Sequence, residues 1–240
     1  MAHYSNNSLP KKENSIQSSW KEQIIEVSVF LFLIVPSMVF SFFVVRQGGL
    51  SFVLVAVATI LRDLALVSLI LFFIWRNREP IDRIGWTFEN VWKEMALGIG
   101  LFIPLSFSSG LLESALHAVG FSSPSTPLPA LVTNKGLTES LLGLILVVIV
   151  AISEETIFRG YLILRLNGII ASPAAAVLLS AVIFSLGHGY EGSAGVITVG
   201  FMGLILALVY MWRKSLIAPI VMHFLQDFIG IVLVPLLRTK

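Results

Sequence analysis

Residues 140–160 read SLLGLILVVIVAISEETIFRG. No side chain from Leu141 to Ile152 is polar, and then Ser153, Glu154, Glu155, Thr156 and Arg159 follow within about two helical turns. A bilayer-crossing helix takes about 20 mostly apolar residues, and this run supplies them. Ionisable groups at the end of such a run are costly, so inside a membrane segment they mark function by default. Whether the fold is a membrane fold then depends on the rest of the chain.

The remainder reads the same way. Of 240 residues, 56% are hydrophobic and 12% are charged, where soluble domains carry about 25% charged residues. The candidate spans are Ile24–Val45, Ser51–Trp75, Met95–Val119, Ser140–Leu164, Pro173–His188, Val196–Trp212 and Leu216–Leu237. They are continuously apolar, whereas barrel strands alternate. Backbone in lipid must bond to itself, so each run is expected to be helical. The expectation is an all-α, polytopic membrane helix bundle of about seven transmembrane helices. It forms one membrane domain, with a polar tail over 1–23, upstream helices and loops over 24–139, and a core over 140–237. The first run follows a polar, lysine-bearing stretch and lacks a small-residue cleavage site, so it reads as a signal anchor.

Lys and Arg concentrate on the cytoplasmic side of membrane proteins. With the N-terminus in the cytoplasm, the inner side receives Lys11, Lys12, Lys21, the loop from Arg76 to Lys93, Arg159, Arg165, Arg213 and Lys214. The outer side keeps Arg46, Lys135, Arg238 and Lys240. This favours an N-in, C-out arrangement. The loop Arg76–Glu94, with Trp86, Phe88 and Trp92, is expected along the inner interface, and the Pro- and Ser-rich stretch Gly120–Leu137 outside. A net charge of +2 offers no footprint for nucleic acid. With no cysteine, there is no disulfide, thiolate metal site or cysteine nucleophile.

Three ionisable clusters fall in the last four spans. Glu154 and Glu155 are adjacent, so they point about 100° apart on a helix and cannot share one role. Glu155 and Arg159 stand at i, i+4 with the acid first, the better orientation for a pair. Glu154 is then free to face another helix, and a carboxylate in an apolar site makes a better base. The plainer alternative, that these charges only hold the bundle together, stands beside this reading. His188 ends the fifth span after Phe184. His223 and Asp227 share a helix face at i, i+4, where the acid can orient the imidazole or both can ligate a metal. His117 and the Arg62–Asp63 pair are read as structural.

Glu-Glu-x-x-x-Arg, then Phe-x-x-x-His, then His-x-x-x-Asp, in that order on separate membrane helices, resembles the CPBP family. That family contains the type II CAAX prenyl endopeptidases and the bacteriocin-processing and self-immunity proteins. The resemblance covers about Ser140 to Leu236 and includes the run Phe158-Arg159-Gly160-Tyr161. It implies an intramembrane, glutamate-dependent endopeptidase acting on a peptide or membrane-associated protein in the lipid bilayer. By position, Glu154 activates water with help from His188, His223 and Asp227 stabilise the oxyanion, and Glu155 and Arg159 hold the site in shape. The prenyl endopeptidases have asparagine where this chain has Asp227, and an ionised aspartate accepts hydrogen bonds without donating any.

Glu154, His188, His223 and Asp227 also make up a donor set that zinc accepts with water in an open position, although the compact His-Glu-x-x-His spacing is absent. Two other functions keep the same helices: a non-proteolytic immunity or scaffold protein of this family, and a small transporter. Repeated halves with paired broken helices, the mark of many transporters, are not evident. The modest length points to a bacterial protein of the plasma membrane.

Overall fold

The computed structural model describes residues 19–47, 51–122 and 136–238. Among them every regular element is helical. Seven helices follow in order: α1 (Trp20–Gln47), α2 (Phe52–Arg76), α3 (Val91–Ala118), α4 (Leu137–Ile170), α5 (Pro173–Leu186), α6 (Gly192–Arg213) and α7 (Ile217–Leu237). Six are long and apolar enough to cross a bilayer, and the protein is a multi-pass membrane protein. The exception is α5, whose 14 residues rise only about 21 Å at 1.5 Å each. Side chains such as Phe32, Ile103 and Phe107 are 67–78% exposed. Apolar surface of that kind is what lipid covers.

Helix α4 is the centre of the bundle. Half of its apolar window is buried, against 17% for α3. It packs against α2, α7, α1, α5 and α6, while α3 lies outside against α6 and α7. It also runs six residues beyond the expected end at Leu164, to Ile170, despite Gly168, and ends at Ala171, which adopts φ 56. Arg159 and Arg165 are each 1% exposed inside the bundle, and Arg165 pairs with Glu79 in the connection that follows α2.

Arg165 belongs to a buried network that docks α1. Glu26, 1% exposed, accepts from Arg165 Nε at 2.8 Å, Tyr161 Oη at 2.9 Å, Asn77 Nδ2 at 2.7 Å and Arg76 Nη2 at 2.8 Å. Glu79 adds an ion pair to Arg165 Nη2 at 2.9 Å. In a low-dielectric interior such charges persist only when paired. The connection from α2 to α3 also contributes to the core. A short 3₁₀ turn, Ile81–Ile84, buries Ile84 completely. Gly85 then turns back at φ 84, against the Tyr210 ring, and its carbonyl accepts from Leu216 N at 2.9 Å at the start of α7. The α1 helix begins at Trp20, so the last part of the expected polar tail is helical. Most of the outer stretch Gly120–Leu137 lies outside the described residues.

Candidate active site

The centre of the site follows from how α4 winds. It is α-helical through Glu154, then opens into i→i+5 winding from Glu155 to Leu162, with all eight residues buried. Wide turns of this kind occur mostly as short bulges, frequently at functional sites. Ser180 on α5 donates to Phe158 O at 2.7 Å and so supplies a donor to the widened segment. Gly160 lies against the 3₁₀ turn, where a Cβ atom would stand 2.5 Å from Ile84 O.

The two adjacent glutamates leave this junction toward different neighbours. Glu155 is 0% exposed, and its Oε1 accepts from Arg159 Nη1 at 2.8 Å and from His223 Nδ1 at 2.7 Å. Glu154 has no such partners. Its Oε1 is 4.0 Å from Arg62 Nη2, and its Oε2 is 3.8 Å from His223 Nε2. Oε2 is buried with no hydrogen-bond partner, and the side chain as a whole is 13% exposed.

His223 is the crossing point. An ionised carboxylate only accepts, so the hydrogen of the short bond to Glu155 lies on Nδ1. Nε2 then faces Asp227 Oδ2 at 3.4 Å and Glu154 Oε2 at 3.8 Å. A neutral ring of this tautomer accepts at Nε2, and only the imidazolium donates at both nitrogens. Directly after Asp227, α7 also opens into i→i+5 winding over Phe228–Leu233.

His188 joins through Phe184. Its Nδ1 donates to Phe184 O at 3.0 Å, which leaves Nε2 as the acceptor of a neutral ring. The Phe184 ring lies 4.8 Å from the His188 ring and 6.0 Å, edge-on, from that of His223, and the Arg159 guanidinium sits over it at 4.3 Å. Gly203 leaves room for this stack: a Cβ there would stand 2.9 Å from Phe184, and its carbonyl accepts from Arg159 Nη2 at 3.3 Å. The phenylalanine of Phe-x-x-x-His is thus the spacer between both histidines and the buried arginine.

The structure also brings in residues outside the three motifs. Arg62 and Asp63, structural by their sequence context, lie on α2 beside Glu154. Arg62 Nε and Nη2 are 2.9 and 2.8 Å from Asp63 Oδ1, and Asp63 is 1% exposed with Glu154 and His223 in its electrostatic surroundings. Tyr190 lies in the field of Glu191, Glu154, Asp227 and Arg62. Glu191 neighbours His188 and Asp227. The available signal is the one that marks Glu154, an ionisable residue within an apolar run. Local spacing could not attach it to a helix far along the chain. His117 keeps local contacts, with Nδ1 3.2 Å from Phe121 O and Nε2 3.7 Å from Glu113 Oε1.

Zinc requires a converging ligand set. Among the described residues no group of three or more His, Cys, Asp or Glu side chains is arranged to hold a metal ion. Glu154, His188, His223 and Asp227 therefore do not form one.

Residues 136–229, which run from the start of α4 into α7, match the family model for type II CAAX prenyl endopeptidase Rce1-like proteins. No curated protein and no solved structure matches the chain. The matched segment, less than half of the chain, holds all three motifs, the widened turn of α4 and the start of the one in α7, and over that segment the chain is similar to the type II CAAX prenyl endopeptidases, in line with the resemblance to the CPBP family.

Proposed function

We propose that this chain is an intramembrane endopeptidase that cleaves a peptide bond in a membrane-associated peptide or protein, with water activated by Glu154. The carrying observation is the unequal state of the two glutamates. Glu155 is engaged by Arg159 and His223, whereas Glu154 keeps a buried oxygen without a hydrogen-bond partner and faces His223 Nε2 at 3.8 Å.

In this reading Glu154 takes a proton from water as the water oxygen bonds to the scissile carbonyl carbon. The C=O electron pair moves onto oxygen. Imidazolium His223, fixed by Glu155, donates from Nε2 to that oxyanion. When the pair returns, the C–N bond breaks and the nitrogen leaves with the proton that Glu154 held. General acid–base catalysis and oxyanion donation are the two contributions assigned to this site. Asp227 acts on His223 as an acceptor, holding the ring plane. His188 offers its free Nε2 lone pair as a second proton acceptor. Glu155 and Arg159 keep the ring and the widened turn in place. The bacterial plasma membrane is the proposed location, with the substrate entering from the bilayer.

The test is cleavage of a membrane-tethered peptide reporter by purified protein in liposomes. Glu154→Gln keeps shape and removes the base, so it is expected to slow cleavage about 10²–10⁴-fold while the protein remains folded. A folded Glu154→Gln protein that cleaves at the unmodified rate overturns the assignment. A purified unmodified protein that cleaves no reporter, yet keeps its biological effect, favours the scaffold role.

A further inference from the structure

The proposed site has one oxyanion donor, His223, among many acceptors. Its acids are Glu154, Glu155, Asp63, Asp227 and Glu191. Arg159 is 1% exposed and committed to Glu155 and Gly203 O. His223 has one nitrogen bonded to Glu155 and the other facing two carboxylate oxygens. Among the described residues around Glu154, the permanent cation with accessible surface is Arg62, whose side chain is 33% exposed. Its Nε and Nη2 are turned to Asp63 Oδ1, and Nη2 also reaches within 4.0 Å of Glu154. Asp63 is buried, so it anchors the guanidinium without needing to be reached by substrate.

Distance decides what Arg62 can touch. A water activated by Glu154 lies about 2.6–3.2 Å from the carboxylate, and the reacting carbon about 3–3.5 Å from that water. A donor 4.0 Å from Glu154 falls within the same few ångströms. A terminal carboxylate on the substrate would lie about 3.3–3.6 Å further away for each residue beyond the scissile bond. We infer that Arg62 on α2 is a catalytic residue of the proposed peptidase, donating a guanidinium N–H to the oxyanion formed at the scissile carbonyl, with Asp63 as its positioning residue. This rests on the hydrolytic reading above. The water oxygen bonds to carbon, the C=O pair moves to the oxygen that Arg62 contacts alongside His223, and its return expels the amine with the proton held by Glu154. The guanidinium stays charged throughout and gains or loses no proton.

Arg62→Ala strands the buried Asp63 and endangers folding, so the decisive protein is the double variant Arg62→Gln/Asp63→Asn. It removes both charges and keeps a hydrogen-bonding pair. The assay is steady-state cleavage of a membrane-tethered peptide reporter that the unmodified protein cleaves. The double variant, melting like the unmodified protein, is expected to lose about 10²–10³-fold in kcat with little change in KM. Ethylguanidinium is expected to restore part of the rate to whatever folded Arg62→Ala can be purified. A folded double variant with near-normal kcat, or a loss confined to KM that ethylguanidinium leaves unmoved, overturns the inference. If Glu154→Gln abolishes cleavage while the double variant is unaffected, only the role of Arg62 fails. If Glu154→Gln cleaves normally, the hydrolytic reading itself fails.

Discussion

At the scale of the residue, one carboxylate oxygen organises the centre of the bundle. Glu155 Oε1 holds Arg159 and His223 together, and both partners are buried. Removing one member leaves an uncompensated charge in an apolar interior. Arg159→Ala is therefore expected to destabilise the protein by about 3–5 kcal/mol, read as a lower unfolding temperature in detergent and a lower yield. Normal stability with activity alone abolished would contradict the supporting role proposed for this pair. Glu154 should respond in the opposite manner. Glu154→Asp draws the carboxylate back by one methylene, and a misplacement of about 1 Å can cost about 10² in rate. Its melting temperature should stay near normal, because the Glu154 carboxylate is not held by the bonds that fix Glu155, so rate and stability measured on one preparation separate the two glutamates. Part of this contrast is legible from spacing, since i, i+4 pairs Glu155 with Arg159. The bond from Glu155 to His223 is not, because it joins residues 68 apart.

At the scale of the element, α4 departs from ideal winding directly after Glu154. Widening from Glu155 to Leu162 rotates the following side chains relative to an α-helix, and the turn is wedged against the Ile81–Ile84 connection at Gly160. Gly160→Ala brings a methyl against a backbone carbonyl that cannot swing away, so a loss of about 1–3 kcal/mol in stability is expected. At Gly110 on α3 an added methyl would meet nothing within 4 Å. Gly110→Ala should be neutral or stabilising by up to about 1 kcal/mol, since alanine is the better helix former. Equal melting temperatures for the two variants would count against Gly160 as a packing position. Helix existence is readable from apolar runs, but the widened turns are not. Nothing in the composition of Glu155–Leu162 distinguishes i→i+5 from i→i+4 bonding, and the choice is made by what packs around it.

At the scale of the whole molecule, orientation in the bilayer follows from loop charge. The connection from Arg76 to Lys93 is expected to be cytoplasmic and the stretch Gly120–Leu137 external. Because the chain has no cysteine, single cysteines can be placed in each. An impermeant thiol reagent added to intact cells should label the second and spare the first, and labelling of the first reverses the orientation. Arg165 pairs with Glu79 and Arg213 with Glu94, so these arginines lie at the end of the bundle that carries the Arg76–Lys93 connection.

What the sequence determined by itself is what depends on neighbours along the chain. Continuous apolar runs require helices in lipid, because the backbone there has only itself to bond. Charges within those runs mark Glu154, His188, His223 and Asp227 as candidates. Tertiary structure alone decided which helices meet. In a bilayer every apolar face is equally well solvated, so hydrophobicity does not choose a partner; close packing and a few polar contacts do. Hence Ile24–Val45 reads from sequence as one more span, while in the fold Glu26 ties α1 to Arg165 and Tyr161. By the same logic Arg62, structural by its own sequence context, stands 4.0 Å from Glu154 because α2 packs along α4.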